Sequence, residues 1–394
     1  MHPAIPFYQR FAALLLIMTP DPDAPSQTAS PAAPEAPASA TSAVPAATAF
    51  APAASAPAVS APAVSAIIPA RNEEATIARA VASLATQPEI AEIIVVNDES
   101  TDHTAAVLEQ LSAAEPKLRV LAGGPLPAGW IGKNHACWQG AQHATGRWLL
   151  FTDADAVHLP GSTARALADA EAAGASLVSY SPQQEMHTWW ERALIPFVYC
   201  RLAHLYPYAL VNDPRSPVAA ANGQYLLIRR EAYHAIGGHA AVSGEVLEDV
   251  ALACRARAQG VPLHFASGAQ IARVRMYGSF RAMWEGWTKN LCPLLRMAGH
   301  GMTRELLWVI PSIPLLCLAL APLQPVFGAL GILLLAGRHA SYAATLRRNR
   351  LPVSSVVYYL AGVALYCAAL LVSDARYARG KVTWKGREYP VGTS

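Results

Sequence analysis

The stretch "VSAIIPARNEEATIARAVASL", residues 64–84, decides the fold. Its first part, Val64–Ile68, is a continuous apolar run with the length of a buried strand, and a polar turn follows at Pro69–Glu73. From residue 74 the spacing changes, and Ile77, Val81 and Leu84 recur on one face of a helix predicted to reach residue 85. The pattern repeats in "AEIIVVNDESTDHTAAVLEQL" (91–111), where the apolar run Ile93–Val96 gives way to a polar turn and an amphipathic helix. "LRVLAG" (118–123) reads as a third strand and "RWLLFTDAD" (147–155) as a fourth. Strands alternating with helices predict an α/β fold with a mostly parallel sheet and helices on both faces. Such a sheet binds its ligand beyond the carboxyl ends of the strands. The clusters "PARNEE", "NDES" and "TDAD" all fall on that edge.

The remainder of the chain is unusually apolar. Of 394 residues, 53% are hydrophobic and 14% charged, where a soluble globular chain carries roughly 25% charged residues. One source is a tract from Ala24 to Val64 made almost wholly of Ala, Pro, Ser and Thr, with Glu35 its only charge. Frequent proline and the scarcity of large apolar groups predict a semi-extended, disordered extension over residues 1–63. The run "FAALLLIM" (11–18) within it is too short to cross a bilayer of roughly 30 Å. The other source is C-terminal: an apolar stretch of more than 30 residues from about Leu306, broken by prolines, and a second at Val353–Ser373. These predict transmembrane helices within 304–375, followed by a basic tail over 376–394. The basic segments "RRNRLP" and "RYARGKVTWKGREY" both favour the cytosolic side, so the last apolar run is not a simple single crossing. The segment 188–211 is aromatic but carries Glu191, Arg192, Arg201 and His204, which suits an interfacial helix, a lid on the acceptor route, or a buried helix packed on the sheet.

A net charge of +3 without a basic stripe interleaved with aromatics argues against nucleic acid. Six cysteines without any CxxC spacing exclude a zinc ribbon and a disulfide framework. Reduced thiols in a domain facing the cytosol follow.

Asp153 and Asp155 sit one residue apart where the fourth strand stops. Two carboxylates so close repel unless a cation lies beside them. Either the turn is solvated or a divalent metal belongs there.

The ordered motifs "IIPARNEEATIARAVASL", "EIIVVNDESTDHT", "GKNHACWQGAQHATGRWLLFTDAD" and "EVLEDVALACRARAQG" resemble family 2 glycosyltransferases of the GT-A (Rossmann-like) fold over residues 64–300. "PLPAGWIGKNHACWQGA", the C-terminal apolar helices and "WKGR" are similar to the membrane-bound hopanoid-associated and carotenoid-type branch. The resemblance implies a nucleotide-diphospho-sugar donor, most simply a UDP-sugar, and a lipid acceptor, with polyprenyl phosphate also open. It implies Mg²⁺ or Mn²⁺ held by Asp155, with Asp153 on the ribose or a metal-bound water. A hard ion held by few carboxylates leaves room for phosphate oxygens and neutralises the departing diphosphate. The resemblance further implies Asp98 on the base, with Asn97 standing where the family often has a second aspartate. Pro69, Arg71 and Glu73 would border the nucleoside, Lys133 would reach the diphosphate or base, and Asn222 and Gly223 would line the sugar pocket. Asp249 would be the base, supported by Glu248, at a helix start whose dipole favours the ionised form. A single base with direct displacement means inversion at the anomeric carbon.

One family feature is missing: no QxxRW motif follows Asp249, where the chain reads "RVRMYGSFRAMWEGWTKN". That argues against a processive polysaccharide synthase and for single transfers. Trp284 and Trp287 would stack on a sugar or flat lipid, or pack in the core. The expectation is a multi-pass enzyme of the cell (inner) membrane with its catalytic domain facing the cytoplasm. The rival is a catalytically idle scaffold that keeps the fold.

Overall fold

The computed structural model describes residues 63–390, so the Ala/Pro-rich extension with its short apolar run lies outside the described residues. Eight strands form one sheet: β1 (Val64–Ala70), β2 (Ile90–Asn97), β3 (Leu118–Ala122), β4 (Trp148–Phe151), β5 (Ala156–His158), β6 (Leu177–Gln184), β7 (Leu226–Arg229) and β8 (Leu263–Val274). Their order is β3-β2-β1-β4-β7-β6-β8-β5. β3, β2, β1 and β4 run parallel, as do β6 and β8. β7 is antiparallel to both β4 and β6, and β5 is antiparallel to β8.

Neighbouring residues of the central strands feed opposite faces. Ile67, Ile94 and Leu149 join one buried cluster, while Ile68, Ile93 and Leu150 join the other. A strand covered on both sides must be apolar at every position, which is why these runs do not alternate. Helix α1 (Ile77–Ala85) buries Ile77, Ala80, Val81 and Leu84, the face its spacing predicts. Helices α2 (Thr104–Ala114), α3 (Gly132–His143) and α4 (Ser162–Ala172) complete the first half. A β-carbon at Gly140 of α3 would lie 2.5 Å from Ile67 Cγ2, so this glycine lets the helix press against β1.

Helix α5 (Trp189–Leu205) begins with a capping box. Thr188 Oγ1 accepts from the Glu191 amide, and Glu191 Oε2 accepts from the Thr188 amide at 2.7 Å. Of its charges Glu191 and Arg201 are buried and partnered, while Arg192 and His204 are exposed. Glu191, wholly buried, pairs with Arg275, and Arg201, 4% exposed, makes a two-pronged contact with Glu305 at 2.7 Å on each prong. The inner face of α5 is therefore packed within the protein, while Trp189 at its start remains exposed.

Helices α6 (Glu248–Ala258) and α7 (Phe280–Met297) follow, and then the apolar C-terminal set: α8 (Met302–Val309), α9 (Ser312–Ala319), α10 (Pro325–Arg348) and α11 (Tyr359–Ala378). Two segments, Pro325–Arg348 and Val353–Ala378, are long and apolar enough to cross a membrane, and α8 with α9 forms a pair bent by 51°. Leu307, Leu323, Leu333 and Val357 stand among the most exposed large apolar residues. Along α11 the buried positions Tyr359, Gly362, Val363, Tyr366, Ala369, Leu370, Ser373 and Tyr377 keep helical spacing. A β-carbon at Gly362 would meet the Ala193 carbonyl of α5 at 2.6 Å, and Ser373 Oγ accepts from the Cys292 amide of α7. After α11 the chain turns into a two-stranded hairpin, β9 (Lys381–Trp384) and β10 (Arg387–Pro390). All six cysteines are free.

Candidate active site at the sheet edge

Because β1, β2 and β4 are parallel, the turns after them open on one edge and carry Arg71–Glu73, Asp98 and Asp153–Asp155 together. β7 runs the other way, so the residues before it, Asn222–Gln224, arrive at the same edge. A cavity of about 880 Å³ opens there. It holds Pro69, Asp98, Lys133, Asp155, Gly223 and Asp249, and it continues to Tyr206, Trp287, Leu294 and Leu351 beside the C-terminal helices.

The centre of the site is a lysine between carboxylates. Lys133, in the first turn of α3, lies 2.7 Å from Asp153 Oδ1 and 2.8 Å from Glu248 Oε1. Burial disfavours its charge, but Asp153 and Glu248 outweigh that and raise its pKa. Asp249 Oδ2 accepts from the Gly223 amide at 2.7 Å and Oδ1 from the Val250 amide at 2.8 Å, where α6 begins. Burial and the neighbouring Glu248 nevertheless push Asp249 up from 3.8 to about 6. A β-carbon at Gly223 would come within 3.0 Å of Lys133 Nζ and 3.2 Å of Glu248 Oε1, so a larger residue would crowd these groups. Asn222 lines the cavity and also shapes the turn, its Oδ1 accepting from the Gln224 amide.

Asp155 is the least satisfied of the carboxylates. Its Oδ1 is buried without a hydrogen-bond partner. Burial, Asp153 and Glu73 together raise its pKa well above the ordinary 3.8. Among the described residues no three His, Cys, Asp or Glu side chains converge as a metal site. A Mg²⁺-type ion needs only one or two carboxylates when substrate phosphates complete its shell. An orphaned carboxylate oxygen beside a second carboxylate fits that need.

The second corner is self-paired. Arg71 lines the cavity, and its Nη1 donates to the carbonyls of Asp98 (2.7 Å) and Glu99 (3.0 Å), bracing the loop after β2. Glu73 accepts from Thr76 Oγ1 at 2.7 Å and pairs with Lys385. Asp98, 7% exposed, accepts from Arg387 Nη1 at 2.6 Å. Asn97 Oδ1 accepts from the Ser100 amide, so this side chain serves its own turn.

Lys289, Lys385 and Arg387 are site residues that the sequence reading missed. Lys289 of α7 lines the cavity, its Nζ 4.4 Å from the Trp384 ring centroid, and burial lowers it to about 8. No local motif marks it. The hairpin residues had one signal, a Lys-Gly pair between two short segments with β-branched and aromatic residues. Trp287 is 3% exposed against Tyr199 and Tyr277, and Trp284 stacks on Phe280.

Residues 65–237 match the family model described as glycosyl transferase family 2. The chain is 30% identical over 343 residues to the 4,4'-diaponeurosporenoate glycosyltransferase of Staphylococcus aureus strain MRSA252, covering 82% of this chain and 88% of that one. The protein of the same name from strain USA300 is 30% identical over 346 residues, with the same coverage. Among solved structures, a mannosyltransferase from Pyrobaculum calidifontis in complex with GDP-Man and Mn²⁺ is similar at TM-score 0.45 and 18% identity, over 79% of this chain and 86% of that one.

Proposed function

This chain belongs to glycosyl transferase family 2, and from that premise we propose that it is a membrane-bound, inverting glycosyltransferase moving one sugar from a nucleotide-diphospho-sugar to a lipid-type acceptor. The observation that carries the reading is the continuity of the cavity, which joins the carboxylates of the sheet edge to apolar side chains beside the C-terminal helices. A donor's nucleoside would lie toward Pro69, Glu73 and Asp98, and its diphosphate toward Lys133 and Asp153. Asp155, with Asp153, would hold Mg²⁺ or Mn²⁺, which when bound supplies positive charge against the leaving diphosphate.

The protein's own residues account for the remaining chemistry. Asp249, fixed by the Gly223 and Val250 amides, would take the proton of an acceptor hydroxyl as that oxygen attacks the anomeric carbon. A raised carboxyl pKa makes it a better proton acceptor than a free aspartate, while leaving it ionised at neutral pH. Glu248, held by Lys133, keeps the ammonium aimed at the site. Tyr199, Tyr277 and Trp287 pack ring against ring on the cavity wall and would keep water from that side. In this proposal residues 64–300 form the catalytic domain, facing the cytoplasm of the cell (inner) membrane, and 304–375 attach it in several passes. The relatives' printed name concerns a carotenoid acid, and a long, flat apolar acceptor of that kind suits a cavity that ends among aromatic and leucine side chains. A carboxylate acceptor arrives ionised, so transfer to it would not need Asp249 to remove a proton.

Calorimetric binding of UDP-glucose to the detergent-purified chain, with and without Mn²⁺, tests the donor half beside Asp155→Ala. Metal-dependent binding that the substitution removes is the expected result. Binding that ignores both metal and substitution would overturn the assignment of Asp155.

A further inference from the structure

The hairpin after α11 reads in the sequence as a basic tail suited to a membrane surface. Instead it is folded onto the nucleotide corner of the catalytic domain. Val382 is 1% exposed and Tyr389 8%, so the hairpin is packed rather than draped.

Its two-residue turn is unusual. Lys385 and Gly386 both have positive φ, 45° and 76°. That geometry matches the strand twist of a tight hairpin and normally selects Asn-Gly or Asp-Gly, because a longer side chain is strained there. Lys385 holds the strained position and uses its side chain: Nζ donates to the Arg71 carbonyl at 2.9 Å and pairs with Glu73. Two further non-glycine residues with positive φ, Asn72 (54°) and Glu99 (50°), lie in the loops it touches. Strain gathered at one place points to a geometric requirement at that place.

Arg387 makes the second connection. Its guanidinium spans two carboxylates, with Nη1 2.6 Å from Asp98 Oδ2 and Nη2 paired with Glu99. A β-carbon at Gly132 would collide with Arg387 Nη1 and lie 2.6 Å from Asp98 Oδ2. The start of α3 therefore leaves room for this pair. Trp384, Lys385, Gly386 and Tyr389 all line the large cavity.

We propose that this hairpin is a built wall of the donor pocket, in which Arg387 and Lys385 are positioning residues that fix Asp98 and Glu73 and thereby set which nucleobase is accepted. The proposal rests on the nucleotide-sugar reading above. One oxygen of the Asp98 carboxylate is held by Arg387 at 2.6 Å, which fixes the direction in which the other would meet a base N–H.

The test uses the full, detergent-purified chain and calorimetric binding of UDP, CDP, GDP, ADP and inorganic pyrophosphate with Mn²⁺. Wild type should prefer one base. Arg387→Ala should weaken the preferred nucleotide by about 10- to 100-fold, the usual effect of losing a hydrogen bond to a charged group. It should also flatten the preference while leaving pyrophosphate binding unchanged, and Arg387→Lys should restore part of both. Lys385→Gly guards against a folding artefact, since glycine relieves the strained turn. This variant should melt no lower than wild type yet bind the preferred nucleotide more weakly. Unchanged or tighter nucleotide binding in either variant overturns the proposal, since the hairpin would then be a bystander or a plug. Failure of the wild type itself to bind any nucleoside diphosphate overturns the nucleotide-sugar reading, and this proposal with it.

Discussion

Two carboxylates in this molecule have opposite surroundings. Glu305, at the junction of α8 with α5 and α11, is wholly buried and meets both prongs of Arg201, the Tyr366 hydroxyl at 2.8 Å and His300. Asp155, at the sheet edge, has one buried oxygen with no partner and feels the repulsion of Asp153 and Glu73. Glu191 belongs with Glu305: burial works against its charge, but hydrogen bonds from Thr188, His187 and Arg275 outweigh it and lower its pKa. The junction supplies every counter-charge from within the chain. The sheet edge sets Asp153, Asp155, Glu248 and Asp249 against Lys133 and Lys289. The saturated carboxylates hold parts together, and the unsaturated ones are where the proposed cation and the proposed proton transfer would find partners.

That contrast can be broken by substitution. The largest effect belongs to Asp249→Asn, which should lower transfer to a hydroxyl acceptor by about 10²- to 10⁴-fold, as measured by steady-state rates. The same change gives up one of the two backbone-amide bonds, since an amide side chain has a single acceptor oxygen, but it should flatten the fall in melting temperature between pH 4 and 6. Asp249 has a folded pKa raised from 3.8 to about 6, so ionising it costs stability as pH rises through that range, and a neutral isostere avoids the loss. Wild-type stability that kept rising from pH 4 to 6 while that of Asp249→Asn did not would contradict this sign.

Next come the paired carboxylates themselves. Glu305→Gln leaves the buried Arg201 guanidinium without a counter-charge and should destabilise the chain by about 3–5 kcal/mol in thermal unfolding. Asp155→Asn should leave unfolding unaffected or delayed while abolishing metal-dependent donor binding. Equal destabilisation by the two would erase the distinction between the regions.

A smaller effect concerns pH. With Asp249 as base, transfer to a hydroxyl should fall about tenfold per unit below about pH 6. Glu248 raises this limb and Lys133 lowers it; Lys289, Tyr199 and Tyr206 also face Asp249. A rate flat from pH 7 to pH 4 would exclude Asp249 as the base. The smallest is Thr188→Ala, which removes one partner of the saturated Glu191 and should cost about 1 kcal/mol of stability with transfer unchanged.

Legibility in the sequence followed the range of the interactions. β1 to β4 and the turns after them were readable because each is a local run followed by polar residues, so Asp98, Asp153 and Asp155 could be placed on one edge. β7, only four residues long and reversed, was not read as a strand, although its reversal is what delivers Gly223 to the site. The charges of α5 suggested an interface because their partners, Arg275 and Glu305, lie 84 and 104 residues away. The tail was read by its charge, yet its lysine and arginine answer acidic groups some 300 residues earlier. Periodicity reports which face is buried, not which distant ion waits there.

The position of the hairpin also orders events in time. Lys385 and Arg387 follow the apolar helices in the chain, so the ribosome makes them only after those helices have been synthesised. A nascent chain thus has Asp98 and Glu73 without their partners until the long apolar helices have emerged. The cavity wall on that side is therefore completed last, by residues made after every helix that packs around it.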